Sequence, residues 1–190
     1  MRMPITTSES TDPTSAASDA AVTTPVERPP LPVLGPPTTA GLADLAGVLA
    51  RRGDIWRPLV RFSESERFYT RVAGERGWDA WLLTWLPGQR TGLHDHGDSA
   101  GAFIVVSGVL EEFVATPAGS GTTHLTRESF TPRHVRSFGR RHVHDVVNSA
   151  GVPAISLRVY APVLTRMRRL RIDEGGRLHV VSQQRAGDDW

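Results

Sequence analysis

From Arg67 onward the sequence is a succession of short apolar runs separated by turn residues, and this pattern limits the fold more than any other feature. The runs are rich in Trp, Val, Leu, Phe and Ile, and many short strands with regularly spaced turns predict an all-β sandwich or barrel. The last two runs, 167–172 and 177–181, are predicted to form a hairpin through residues 173–176. The turn residues that divide the runs are Gly74, Gly77, Pro87-Gly88, Gly92, Ser107-Gly108, residues 119–121 and Ala150-Gly151.

A helix and a tail precede the strands. Apolar residues at spacings of three and four, between a cap at Thr39 and Gly53, predict a short amphipathic helix that packs on the outside of the barrel. Residues 1–40 are rich in Thr, Ser, Pro and Ala, so we predict a disordered N-terminal tail. We therefore expect two parts: the tail at 1–40, and one β-barrel domain with a short N-terminal helix at 41–185. The apolar positions of the helix are Leu42, Leu45, Ala46, Leu49 and Ala50.

The composition excludes several classes of protein. The 190 residues contain no cysteine, so any metal must be held by histidine or carboxylate. The net charge is only +2, which gives no large positive field for nucleic acid. No stretch reaches the roughly 18 apolar residues of a membrane span, and the first residues lack the apolar core of a leader. We expect a cytoplasmic monomer with no nucleic-acid or membrane partner.

Two pairs of histidines at strand spacing are candidate metal ligands. His94 and His96 flank Asp95, and side chains two positions apart on a strand share a face, so the two imidazoles converge while Asp95 points away. His142 and His144 form a second pair farther along the chain. Three neutral imidazoles leave part of the coordination sphere open and suit Fe(II), Zn or Cu. The alternative is that such pairs lie on solvent-facing strands.

Around these pairs the sequence resembles the cupin superfamily, and specifically the bacterial form of the cysteine dioxygenase family. The resemblance covers residues 68–181. His144, with Asn148 closing the same segment, fits the second cupin motif and is preferred to His142. A general cupin usually has a glutamate ligand where this chain has Ala100 and Gly101. The resemblance implies a jelly-roll-like cupin barrel that holds Fe(II) with His94, His96 and His144.

The resemblance also implies a set of substrate-binding residues. Tyr69-Thr70-Arg71 matches a family element whose arginine binds the substrate carboxylate, a role for which a planar, always charged guanidinium is suited. Trp85 resembles a tryptophan that the family keeps beside the site. Tyr69, Arg71 and Trp85 are therefore the predicted substrate-binding residues.

The family also places serine, histidine and tyrosine at alternate positions of one strand, as a relay that ends near the iron. Ser156, Arg158 and Tyr160 occupy these positions, so they are the predicted catalytic residues. Arg158 replaces the usual histidine and cannot be deprotonated, so we expect it to donate a fixed hydrogen bond that lowers the pKa of Tyr160. Many animal members carry a cysteine, cross-linked to the tyrosine, at the position of Gly101. Gly101 excludes that cross-link.

These features predict a non-haem Fe(II) thiol dioxygenase that converts L-cysteine and O2 to cysteine sulfinic acid. Arg71 favours an α-amino-acid thiol, whereas Arg158 leaves open another small thiol of the mercaptopropionate or cysteamine type. A non-enzymatic metal-binding cupin is the alternative from another class, and the presence of both Arg71 and Tyr160 counts against it. A zinc-dependent isomerase is disfavoured by the missing glutamate ligand.

Overall fold

The computed structural model describes residues 38–187, and most of the predicted tail at 1–40 lies outside them. The helices are α1 (Thr39–Arg51) and α2 (Gly53–Trp56), followed by a 3-10 turn (Arg57–Leu59). None of the helices in this part of the chain is long and apolar enough to cross a membrane. The strands are β1 (Tyr69–Glu75), β2 (Trp78–Trp85), β3 (His94–Asp95), β4 (Ala100–Ser107), β5 (Leu110–Pro117), β6 (Thr123–Phe130), β7 (Val135–Phe138), β8 (Val143–Val147), β9 (Ala154–Ala161), β10 (Arg166–Ile172) and β11 (Leu178–Arg185).

The strands form two antiparallel sheets that enclose the core. One sheet has the order β1-β2-β9-β4-β7, and the other has the order β11-β10-β3-β8-β5-β6. The predicted hairpin is present, because Ile172 on β10 pairs with Leu178 on β11, although β11 continues to Arg185. The predicted fold, an all-β jelly-roll barrel of the cupin type with a short N-terminal helix, is confirmed.

Strand register decides which side chains of the first sheet face the interior. Tyr160 on β9 pairs with Asp79 on β2 and with Gly101 on β4. Residues paired across antiparallel strands share a face, and faces alternate along each strand, so Ser156 and Arg158 point to the same side as Tyr160. That side is the barrel interior, where all three residues are buried.

Helix α1 covers the opposite face of this sheet. The helix contacts β4, β7 and β9, and its apolar side buries the four residues Leu42, Leu45, Ala46 and Leu49. The predicted cap at Thr39 is wrong by one residue: Thr38 is the cap, and its Oγ1 accepts a hydrogen bond from the Gly41 N–H at 3.1 Å. A threonine oxygen placed there satisfies one of the backbone donors that the first helical turn leaves unpaired.

Candidate metal centre

Three histidine side chains meet inside the barrel. His94 on β3 pairs directly with His144 on β8, and His96 lies just beyond β3. The ring centroids are 4.6 Å apart for His94 and His144, 4.9 Å for His94 and His96, and 5.1 Å for His96 and His144. The ligand atoms of the three side chains lie within 4.8 Å of one another. The three predicted ligands therefore lie close together, with His94 on β3, His96 just after β3 and His144 on β8.

The chemistry of these nitrogens fits a metal ion. All three Nε2 atoms are buried and have no hydrogen-bond partner in the described part of the chain. Nδ1 of His94 lies 2.9 Å from the Gly92 carbonyl oxygen, and Nδ1 of His144 lies 2.5 Å from Oε1 of Glu112. When Nδ1 donates its proton in this way, Nε2 carries the lone pair that a metal needs.

The histidines are also held in the neutral form. Burial, and then repulsion from neighbouring cations, keeps the pKa values of His94 and His96 well below their usual range. Burial likewise lowers the pKa of His144, to about 4, against the opposing pull of Glu112. Metal binding requires neutral imidazole, so the site does not have to release protons near neutral pH.

Asp95 points away from the three imidazoles, as its strand position predicts. Its carboxylate is bound by Arg168, whose Nε lies 2.9 Å from Oδ2, and it also accepts the Gly97 N–H at 3.1 Å. Arg168 pairs with Asp95 across β10 and β3. This ion pair fixes the short strand that carries His94.

Sequence reasoning missed Glu112, which organises the outer side of the site. It is fully buried on β5, and its Oε1 lies 2.5 Å from Nδ1 of His144 and 2.8 Å from Nε2 of His142. Its other oxygen pairs with Nε of Arg136 at 3.0 Å. The available signal was a charged residue two positions after buried Leu110, on the inward side of an alternating strand.

The cluster of Glu112, His142 and His144 also has the composition of a metal site. However, a single carboxylate oxygen already lies within hydrogen-bond distance of both imidazoles. Buried hydrogen bonds and ionisation explain this group without a metal: burial would raise the pKa of Glu112, but the hydrogen bonds from His142 and His144 outweigh it and lower the pKa. We interpret the cluster as the outer support of His144, which gives His142 a role.

Phe138 packs between two of the histidines and explains Gly101. Its ring stacks on His96 at 5.0 Å and on His142 at 4.8 Å between centroids. A Cβ built at Gly101 would lie 2.6 Å from Phe138 and 3.0 Å from the Tyr160 ring. Because two imidazoles hold Phe138 in place, the ring cannot easily move aside. Phe138 fills the space that a side chain at position 101 would need.

Gly101→Ala is therefore expected to lower the free energy of unfolding by about 1–3 kcal/mol, the usual cost of overpacking a core. Urea denaturation of the metal-free protein measures this loss. Gly139→Ala is the matched control, because a Cβ at Gly139 meets no atom within 4 Å. Equal stability of the two variants would contradict the packing explanation.

The other predicted site residues occupy the inner face above the histidines. The Tyr160 ring lies 4.9 Å from the His96 ring. The indole N–H of Trp85 donates to Oγ of Ser156 at 3.1 Å, and both residues are fully buried. The Arg158 guanidinium carbon lies 5.6 Å from the Trp85 ring centroid. The structure thus gathers Trp85, Ser156, Arg158 and Tyr160 on one wall of the barrel.

The expected effect of Arg158 on Tyr160 is present but is not the dominant one. Burial raises the pKa of the Tyr160 hydroxyl, and the charge and hydrogen bonding of Arg158 oppose this shift without reversing it. The predicted influence of Arg158 on Tyr160 therefore has the expected direction, but burial outweighs it and the net shift of the Tyr160 pKa is upward. The reason is that the phenol is fully buried, which penalises its charged form.

Tyr69 and Arg71 lie at the rim of this wall, on the edge strand β1. The Tyr69 hydroxyl donates to the Gly187 carbonyl at 3.1 Å, and its ring lies 6.2 Å from the Trp81 ring. Arg71 pairs with Trp81, which in turn pairs with Arg158. The Arg71 side chain is exposed and its guanidinium lies close to Gly74. Arg71 therefore shares a row with Arg158 but is not buried with it.

A family model described as cysteine dioxygenase type I matches residues 43–172, which include every ligand and relay position described above. The chain belongs to this family. Membership makes it a thiol dioxygenase of the cupin fold with a candidate metal site, which acts on a small molecule and O2. No curated protein matches the chain.

Several solved structures are similar to part of the chain. The TT1209 protein from Thermus thermophilus is 21% identical, with a TM-score of 0.49, over 56% of this chain and 93% of that one. A protein with a double-stranded β-helix domain from Klebsiella pneumoniae is 24% identical, with a TM-score of 0.45, over 56% and 80%. A cupin superfamily protein from Desulfitobacterium hafniense is 11% identical, with a TM-score of 0.44, over 56% and 87%.

Proposed function

We propose that this member of the cysteine dioxygenase type I family is a non-haem Fe(II) enzyme that oxidises L-cysteine with O2 to cysteine sulfinic acid. The observation that carries the proposal is the convergence of three neutral imidazoles on one buried point. Histidine ligands without a carboxylate favour Fe(II), Zn or Cu over Mg or Ca. Family membership favours Fe(II) within that set.

His94, His96 and His144 would hold the iron, each through Nε2. When bound there, Fe(II) supplies a redox-active centre at which the thiol and O2 can react. The reaction needs no external reductant, because both oxygen atoms end on sulfur and the thiol provides the electrons. The protein itself positions the reactants and keeps water out, since the three histidines and the wall above them are buried.

The wall residues would orient the substrate and the oxygen. The Trp85 indole N–H donates to Ser156 Oγ, and this buried hydrogen bond fixes the orientation of the indole. The Tyr160 hydroxyl, carried on a ring that packs against His96, would donate a hydrogen bond to the reacting oxygen. Arg71 and Tyr69, at the rim, would meet the substrate carboxylate as it enters. Monomeric state, cytoplasmic location, the absence of nucleic-acid and membrane partners, and the division into 1–40 and 41–185 remain predictions of the sequence.

A second candidate substrate is another small thiol, of the mercaptopropionate or cysteamine type. The observation that favours it is Arg158, which is fully buried in the wall where the family usually has histidine. Arginine is longer than histidine and permanently charged, so it changes both the shape and the charge of the pocket.

The test is anaerobic loading with Fe(II), followed by addition of one thiol and O2. Sulfinate is quantified by mass spectrometry while O2 uptake is recorded, with cysteine, mercaptopropionate and cysteamine as parallel substrates. We expect sulfinate from cysteine in amounts equal to the O2 consumed. Iron-free protein treated in the same way is the control.

Each other result has a defined meaning. Sulfinate from mercaptopropionate or cysteamine alone would replace cysteine by that thiol. Uptake of O2 without sulfinate would reject the dioxygenase assignment. Bound iron with no O2 uptake for any thiol would favour the non-enzymatic cupin.

A further inference from the structure

Two arginine side chains are buried against the Trp85 ring, and each has N–H donors that nothing in residues 38–187 accepts. Arg158 on β9 is 1% exposed, and its Nε and Nη2 have no hydrogen-bond partner there. Arg67, just before β1, is 5% exposed, and its Nε has none either. The one hydrogen bond recorded for Arg67 runs from Nη1 to the Arg90 carbonyl at 3.2 Å. Burying a charged group without partners is costly, so such donors usually serve a ligand.

Each buried carboxylate in the described residues is bound elsewhere. Asp79 accepts the Trp81 indole N–H at 2.9 Å and the Leu164 N–H at 3.2 Å. Asp145 accepts Nε of Arg90 at 3.0 Å and the Thr91 hydroxyl at 3.1 Å. The other two, Asp95 and Glu112, are held by Arg168 and by the cluster around His144, as described above. No buried carboxylate of residues 38–187 is therefore paired with Arg67 or Arg158.

Aromatic packing does not replace the missing acceptors. The guanidinium carbons of Arg67 and Arg158 lie 4.8 and 5.6 Å from the centroid of the Trp85 ring, and that of Arg158 lies 5.5 Å from Phe103. Such contacts stabilise a cation through the face of the ring. The N–H donors of arginine lie in the guanidinium plane and point outward from it, so they still need acceptors.

Arg158 lies on the same side of the sheet as the metal centre. It shares the interior face of β9 with Tyr160, whose ring lies 4.9 Å from the His96 ring. Burial, and then repulsion from Arg158 and Arg169, lowers the pKa of Arg67 to about 9. A bound anion would relieve this repulsion between the arginines.

We propose that Arg158, backed by Arg67, binds the carboxylate of the thiol substrate, so that this centre selects small thiols that carry a carboxylate over thiols that do not. The inference rests on the proposed function in so far as the bound anion is a substrate. The anion site itself would bind a carboxylate whether or not a thiol is oxidised. A carboxylate has two oxygens with room for several donors, and in-plane guanidinium donors match it. The site at Arg158 is additional to any contact that Arg71 makes at the rim.

The test compares two thiols with the same ethylene spacer and opposite charge. Protein loaded with Fe(II) is titrated under nitrogen with mercaptopropionate or with cysteamine, and the dissociation constants are measured by calorimetry. We expect the unmodified protein to bind mercaptopropionate more tightly. Arg158→Gln is expected to raise the dissociation constant of mercaptopropionate by roughly tenfold or more, because hydrogen bonds to a charged group are lost. The dissociation constant of cysteamine should change little.

Two further variants provide a second test and a matched control. Arg67→Gln removes the second arginine at less risk to folding, because it lies outside the strands, and it should give a smaller loss in the same direction. Arg76→Gln, in the exposed turn between β1 and β2, is the matched control and should bind both thiols as the unmodified protein does. The iron content and melting temperature of every variant are measured first.

A second measurement separates the anion site from the dioxygenase proposal. Metal-free protein is melted with propionate or with uncharged propionamide, and only propionate should raise the melting temperature, an effect that Arg158→Gln should abolish. If propionate stabilises but no thiol is oxidised, the anion site stands and the proposed function fails. Equal binding of both thiols, no effect of propionate, or loss of the preference in Arg71→Gln alone would overturn the proposal.

Discussion

Replacing His144 with alanine is expected to abolish equimolar metal binding and, with it, thiol oxidation. His144 is one of only three Nε2 atoms that converge on the site in the described residues, and no nearby side chain replaces it, because His142 already faces Glu112. The loss of affinity should exceed the roughly 10- to 100-fold that removal of an outer partner costs. Metal analysis after dialysis and a chelator competition measure the change.

Thermal stability gives an independent reading of this variant. A metal present at 100 times its dissociation constant adds about 2.7 kcal/mol to the stability of the folded state. Added metal should therefore raise the melting temperature of the unmodified protein and leave that of His144→Ala unchanged. His124→Ala, on the exposed side of β6, is the matched control and should keep both the metal and the shift. Full metal retention by His144→Ala would show that the three imidazoles are not the ligand set.

Replacing Glu112 with glutamine is expected to weaken metal binding by roughly 10- to 100-fold while all three ligands remain. The amide is nearly the same size as the carboxylate but carries no charge, so one oxygen can no longer serve His144 as strongly while the second group faces Arg136. The His144 ring would then lose the partner that holds its Nε2 toward the centre. Competition with a chromophoric chelator measures the affinity.

The neighbouring residue supplies the control for this prediction. Glu111 lies on the other face of β5, where it accepts the Ser149 hydroxyl at 2.6 Å and lies 3.6 Å from Arg127. Glu111→Gln changes the same functional group on the same strand without touching the site, so metal affinity should not change. If both variants bind metal like the unmodified protein, Glu112 is a structural carboxylate and not a support for His144.

The parts of the structure that the sequence predicted are those with a local signal. Alternation places His94 and His96 together and turns Asp95 outward, and turn residues mark the hairpin before β11. Glu112 was missed because its importance depends on which strand lies beside β5, and that pairing joins residues far apart in the sequence. Local patterns specify a face of a strand but not its neighbour.

The direction of long side chains was the second feature that the sequence could not predict. Arg71 and Arg158 occupy one row across β1, β2 and β9, yet one is exposed at the edge and the other is buried in the centre. The sequence predicted a role for both, but the direction of a long flexible side chain depends on the packing around it. Arg67 was overlooked for a related reason: it belongs to an irregular segment before β1, where no periodicity reveals the side that faces the interior.

The position of α1 has a consequence for the metal centre. β9 lies between the helix and the site, because Leu157 and Val159 point from it toward the outer face while Arg158 and Tyr160 point inward. A single strand therefore separates the apolar side of α1 from the groups that would contact the substrate. A shift of the helix would move β9 and, with it, the Tyr160 side chain. The N-terminal helix therefore supports the strand that carries the wall residues of the site.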